Sequence, residues 1–254
     1  MDPVIVSSEG PILQVTLNRP EVRNALDQDV IAALTKTFTD VVPGTRVVVL
    51  QGAGSVFCGG ADINYMRSSL EWTEEENVAD ALRLSHMFRA INDCHVPVIA
   101  GAQGAALGAG AALLAVADVA IAADDVVFGF SEVKLGIVPA VISPFVLPKI
   151  GQSHARALFS TGERFDANKA RTIGLVHEIV PAANLADAVK KKCDEALSAG
   201  PLAARLAKEI AKSVGAMPLS DAQTWTARRI AERRASEEGQ EGLRAFLEKR
   251  KPNW

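Results

Sequence analysis

The stretch "VPVIAGAQGAALGAGAALLAVA", residues 96–117, carries no charge over 22 residues, and its reading decides the class of the chain. It is long enough to cross a bilayer, and Gly104 and Gly108 stand at GxxxG spacing. Yet it is mostly alanine and glycine, with Pro97 near its start and Gln103 inside, and lacks the Leu, Ile and Phe density that drives insertion. It reads instead as a buried strand, a turn, and a small-residue helix from about Gly108, followed by the strand "DVAIAA" and, after Asp124 and Asp125, the strand "VVFGF".

The flanking segments continue the alternation. "VIVSSEGPILQVTLNRP" alternates apolar positions around Glu9-Gly10 and predicts a hairpin. Asp27 is placed to cap a helix with Val30, Leu34 and Phe38 on one side. "RVVVLQGAG" is a short buried strand ending in glycine. Thr73 and Glu76 have capping-box spacing before a helix lined by Ala81, Leu84, Phe88 and Ile91. Strands alternating with helices define an α/β layer structure. After about Ser198 the pattern is almost continuous helix with narrow apolar stripes: Leu202, Leu206 and Ile210; Trp225 and Ile230; Leu243, Phe246 and Leu247. Such stripes need something to pack against.

Composition narrows the function. With 254 residues, 48% hydrophobic and 22% charged, and a net charge of −3, the chain can bury a large core, and nothing in its charge argues for nucleic acid or an anionic membrane. Cys58, Cys94 and Cys193 are odd in number and in no metal-binding spacing, so they are expected to be reduced thiols. The start "MDPVIVSSEG" lacks the basic and apolar regions of a secretory signal, so a cytoplasmic location is expected.

Two glycine corners and one acid are the candidates for chemistry, although taken singly they read equally as a tight turn, as close helix packing, and as a strand-end glutamate facing water. In "SVFCGGADINYMR", residues 55–67, Gly59 and Gly60 precede what reads as a helix start at Ala61. In "GAALGAGAALL" a second helix should begin near Ala109. Helix-start N–H groups lack internal acceptors, so two of them could share one oxygen and form an oxyanion hole. Glu132, in "FGFSEVKLGIVPA", follows an apolar strand; desolvation there would raise its pKa toward the range useful for proton transfer. Tyr65 and Asn64 read as helix surface, and Cys58 as strand-end packing.

The segments "NRPEVRNALD", "FCGGADI", "GAALGAGAALLAVADVAIAADD", "FGFSEVKLGIVPA", "STGERFDANKARTIGLVHEIVP" and "GLRAFLEKRKP", in this order, resemble the crotonase (enoyl-CoA hydratase/isomerase) superfamily along nearly the whole chain. The resemblance implies a ClpP-like α/β spiral of ββα units over residues 1–197 and a helical trimerisation region over 198–254. It implies trimers that often pair into hexamers, an acyl-CoA thioester substrate, and no cofactor beyond the coenzyme A of the substrate. Residue by residue, Ala61 and Ala109 match the oxyanion donors, and Glu132 matches the second of two hydratase glutamates. Asn24, Ala25, Leu26, Asp62 and Ile63 match the walls of the CoA site. Phe246 and Lys249 match a helix that completes a neighbour's CoA site, and Lys249, Arg250 and Lys251 suit CoA phosphates.

One position departs from the pattern: the first hydratase glutamate falls at Ala112, which cannot move a proton. A double-bond isomerase needs only one carboxylate, so Ala112 shifts weight that way. "EVKLGIVPAVISPFVLPKIG", however, resembles the methylglutaconyl-CoA hydratase branch of leucine and isoprenoid breakdown, which puts a hydratase of short or branched enoyl-CoA first. A thioester hydrolase and a non-catalytic acyl-CoA binder remain as alternatives. A dinucleotide fold is disfavoured because no GxGxxG follows the first strand, and no GxSxG supports a serine hydrolase.

Overall fold

The computed structural model describes residues 2–254. The predicted hairpin forms from β1 (Val4–Glu9) and β2 (Ile12–Leu17), paired antiparallel with Val6 opposite Val15. Leu13, Val15 and Leu17 all face inward, as period-2 alternation requires. Asp27 caps α1 (Gln28–Thr39) by accepting from the Val30 N–H, and Val30, Ile31, Leu34 and Phe38 are buried. The strand β3 (Val47–Gly52) leads to α2 (Ile63–Ser68) and then α3 (Glu74–Asn92), where Thr73 and Glu76 make the reciprocal capping box. Met87 joins Phe88 and Ile91 in the core, a buried position beyond the predicted stripe.

The uncharged stretch resolves into three elements: β4 (Val98–Ala102), the three-residue β5 (Ala105–Leu107), and α4 (Ala109–Val116), all of whose residues are buried. Among the described residues no helix is long and apolar enough to cross a membrane. Gln103 has a structural role: its side-chain amide donates to Gly52 O at 2.7 Å and Gly54 O at 3.0 Å, tying the end of β4 to the loop after β3. Beyond it come β6 (Val119–Ala123) and β7 (Val127–Gly129). The chain continues through α5 (Ser143–Thr161), broken into two helical pieces at Gly151, then β8 (Arg164–Phe165), α6 (Ala167–Thr172), β9 (Glu178–Val180) and α7 (Leu185–Ser198).

Two sheets result. The larger has the order β1-β2-β3-β4-β6-β9, parallel from β2 onward; the smaller has the order β5-β7-β8. β4 lies in the larger sheet and β5 in the smaller, with α4 returning the chain; β6 and β7 repeat the step between the sheets. The winding places the C-terminal ends of β3 and β4 and the start of α4 on one side of the core.

Three further helices follow, α8 (Pro201–Ser213), α9 (Leu219–Ala235) and α10 (Glu237–Leu247). Lys208 anchors α8 by donating to Asp118 at 2.6 Å and to the Val96 carbonyl at 3.2 Å. Glu238 accepts from the open N–H groups of Leu202 and Ala203, supplying a cap that Gly200 cannot. Their outer apolar positions stay uncovered, with Phe246 81% and Leu247 77% exposed.

Candidate active site

A loop clamp positions the first corner. Asn24, with φ of 53°, is buried, and its side chain is consumed by the backbone: Oδ1 accepts from Arg19 N–H, and Nδ2 donates to Ala53 O and Val56 O. Arg19 in turn donates to the Ala25 carbonyl and pairs with Asp27 at 2.9 Å and Asp62 at 3.0 Å. Burial pushes the Asp62 carboxyl up, but the Tyr65 and Asn64 N–H groups and Arg19 outweigh it, and the pKa falls below the usual range.

The clamp holds Ala61 in an isolated parallel bridge with Leu26. Leu26 N–H donates to Gly60 O at 2.8 Å, and Asp62 N–H donates to Leu26 O at 2.9 Å. Those bonds use the groups on either side of Ala61, so its own N–H turns the other way. The expected helix start at Ala61 is corrected here: α2 begins at Ile63 with Asp62 as its cap, and the free donor comes from the bridge.

The second corner follows helix physics directly. Ala109 is the first residue of α4, and its cap, Gly108, has no side chain to offer. Among the described residues neither Ala61 N–H nor Ala109 N–H finds an acceptor. Cys58 couples the two corners, its N–H donating to Ala105 O and its carbonyl accepting from Leu107 N–H, each at 3.1 Å. Gly60, at φ of 102°, lies against the same strand, where a Cβ would come within 3.0 Å of Leu107 O. The Cys58 thiol is fully buried and pushed up to about 12 by desolvation, which keeps it out of nucleophilic chemistry.

Both corners open into a cavity of about 270 Å³, where Glu132 also lies. Glu132 begins a short 3₁₀ turn, Glu132–Leu135, shortly after β7, whose Phe128 is wholly buried, as is Phe130 just beyond the strand. Its Oε2 is buried with no hydrogen-bond partner among the described residues. Desolvation raises its pKa, only partly offset by its own backbone N–H. A half-buried carboxyl group with one unpartnered oxygen, in the cavity that the two open N–H groups also line, is the candidate acid/base of this site.

The other sequence candidates lie elsewhere. Asn24, Ala25, Leu26 and Asp62 are buried supports that do not line the cavity, and Ile63 is 71% exposed at the head of α2. Tyr65 is half-buried rather than plain helix surface, donating its hydroxyl to Asp80 and packing against Trp72. Ala112 is wholly buried and does not line the cavity. Phe246 sits exposed in the last turn of α10, and Lys249 sits exposed just beyond the helix. Arg250 is already committed to Glu241, at 2.6 and 2.9 Å, and to Glu248, which leaves Lys249 and Lys251 as the available cations of that run. The sequence reading missed most of the apolar wall: Met66, Leu107, Ile137, Val138, Val141 and Ile142 join Leu84 and Leu135 in lining the cavity.

Two open main-chain N–H groups and one carboxyl group line an apolar cavity in a fold of one six-stranded and one three-stranded sheet, the arrangement expected of a crotonase-type site. The family description enoyl-CoA hydratase/isomerase matches residues 7–254, and the chain belongs to that family. It is 34% identical to a crotonyl-CoA hydratase of Syntrophomonas wolfei, over 99% of this chain and 97% of that one. It is 31% identical to a short-chain-enoyl-CoA hydratase of Clostridium acetobutylicum, over 98% and 95% of the two chains. Among solved structures, an enoyl-CoA hydratase from Shewanella pealeana superposes with a TM-score of 0.94 at 36% identity, covering 99% of this chain and 96% of the other.

Proposed function

We propose that this protein adds water across the α,β double bond of a short or branched enoyl-CoA thioester, with Glu132 as the single acid/base. The observation that carries the reading is the unpartnered Glu132 Oε2 in one cavity with the free N–H groups of Ala61 and Ala109. Glu132 takes a proton from water as the water oxygen bonds to Cβ. The π electrons move onto the thioester oxygen, which lies between the two N–H groups as an enolate. Glu132 then returns the proton to Cα and the carbonyl re-forms, so one water is consumed and the carboxylate is restored. Each main-chain donor contributes on the order of 3 kcal/mol to such a transition state. No electron leaves the substrate, so the reaction as written draws on no redox partner, and coenzyme A enters as part of the substrate.

The apolar wall supports a hydrocarbon acyl chain, and the hydratase names of the relatives above favour water addition. The methylglutaconyl-CoA hydratase resemblance favours branching. The exposed Ile63 suits contact with the CoA moiety. Phe246 and Lys249, uncovered in their own subunit, would complete a neighbour's CoA site in a homotrimer or a dimer of trimers, whose closed ring would cover the stripes on α8, α9 and α10.

Ala112 favours a second reading, double-bond isomerisation by Glu132 alone. Turnover of a panel of short, branched and long enoyl-CoAs in oxygen-18 water separates the two. A hydratase places the label at Cβ as a hydroxyl. Double-bond migration without label on any substrate would replace the hydratase reading with the isomerase one.

A further inference from the structure

Of the residues lining the cavity, only Ser131 and Glu132 carry hydroxyl, amide or charged side chains; the rest are glycine, alanine, proline, methionine or branched aliphatic residues. Ser131 stands immediately before the 3₁₀ turn of Glu132, where a serine oxygen ordinarily caps the following N–H groups. Here it caps nothing, and among the described residues its hydroxyl has no hydrogen-bond partner. Ser131 is half-buried and lines this otherwise apolar cavity, so its uncommitted hydroxyl is open to a ligand or a water.

The reaction supplies the need. An attacking water gives one hydrogen to Glu132, and its second hydrogen must find an acceptor if the oxygen is to stay aimed at Cβ. Ala112 offers none, and the Ala61 and Ala109 N–H groups are donors, engaged by the enolate oxygen. We propose that Ser131 positions the nucleophilic water, its Oγ accepting the hydrogen that Glu132 does not take. The water-holding work of a second carboxylate is thereby moved from α4 to the residue next to the surviving glutamate. Ser131 bonds neither to the acyl chain nor to the transferred proton, so its part is positioning, and it rests on the hydratase reading.

The test compares wild type, Ser131→Ala and Ser131→Thr as full-length proteins on the best enoyl-CoA of the panel, with oxygen-18 incorporation as the readout. Losing one hydrogen bond to the water should lower kcat for Ser131→Ala by roughly 10- to 100-fold. KM should stay within about 2-fold, because the serine is not asked to bind the thioester. Ser131→Thr, which keeps a hydroxyl, should recover most of the rate, and the midpoint of the rising pH limb should be the same in all three. A wild-type rate in Ser131→Ala overturns the proposal, as does a loss that threonine does not restore or a displaced pH limb, which would mark a structural effect on Glu132. If wild type itself incorporates no label, the hydratase reading falls and takes this one with it. Label in wild type and undiminished label in Ser131→Ala overturns the serine alone.

Discussion

Gly108 and Glu132 line the same cavity as close neighbours: a Cβ added at position 108 would stand 3.1 Å from Glu132 Oε1. Gly108 is also at φ of 51° and ψ of −116°, outside the ordinary range of residues with side chains. The same residue thus clears space for the acid and turns the chain so that the Ala109 N–H opens into the cavity.

Gly108→Ala should therefore harm both halves of the site. The left-handed backbone costs roughly 1–2 kcal/mol with a side chain present, and the methyl group presses on the carboxylate. The expected outcome is a modest fall in Tm with a fall in kcat of about 10-fold or more, the KM changing less. Steady-state kinetics beside a thermal melt would check it, and unchanged kcat in a folded variant would break the link between Gly108 and Glu132.

Ala109→Pro isolates the second donor. Proline is tolerated at the first position of a helix, where its missing N–H leaves no helical bond unmade, so α4 should survive. The enolate loses one of two donors, a fall of about 10²–10³ in kcat. Ala61→Ser keeps the N–H and should stay near wild type. Kinetics on folded Ala109→Pro with near-normal kcat would overturn the oxyanion assignment.

Burial holds the Glu132 pKa above the ordinary carboxyl value, and both activity and stability should show it. The base form is needed first, so kcat/KM should rise with pH through this raised pKa, and Glu132→Gln should abolish turnover. For stability the sign runs oppositely. Between the unfolded and the folded pKa the folded state holds more protons, so this residue stabilises least once pH has risen through the folded value. The Tm of Glu132→Gln relative to wild type should accordingly increase as pH is raised across that window. Melts at several pH values check it, and a pH-independent difference would contradict a desolvated Glu132.

The layer order was legible because hydrophobic period and caps are local: Asp27, Thr73 and Glu76 announce their helices, and Leu13, Val15 and Leu17 their face. What escaped the sequence depends on distant partners. Ala61 looks like a helix start, but its free N–H comes from a bridge to Leu26, set by the Arg19 clamp on Asp27 and Asp62. β5 is only three residues between two glycines, too short for a period to show. The apolar setting of Glu132 could be read from Phe128 and Phe130; that its carboxylate neighbours Gly108 could not.

The exposed end of α10 predicts assembly. Phe246 and Leu247 are adjacent, apolar and uncovered, and a partner surface that covered them would gain the free energy of their burial. Light scattering at micromolar concentration should give a trimer or hexamer, and Phe246→Ser with Leu247→Ser should weaken it and raise the KM for CoA thioesters. A wild-type monomer with full activity would defeat both the ring and the shared CoA site.

Ala112→Glu asks whether the missing carboxylate can be restored. The sequence alone suggests that the substitution should increase hydration if the alanine leaves room beside the substrate. In the fold that room is absent: Ala112 has no exposed surface, does not line the cavity, and donates its N–H to Gly108 O at 3.1 Å within the first turn of α4. A glutamate there must displace packed neighbours, typically costing 1–3 kcal/mol, and it must bury a second carboxylate in the same apolar region as Glu132. Like charges in a dehydrated setting raise each other's pKa, so the new group would tend to be protonated and would hold Glu132 protonated longer. The expected result is a lower Tm, a rising pH limb displaced upward, and no increase in hydration of crotonyl-CoA at neutral pH. Faster hydration together with an unchanged Tm would mean that the cavity extends to α4, and that a two-carboxylate site can be rebuilt by one substitution.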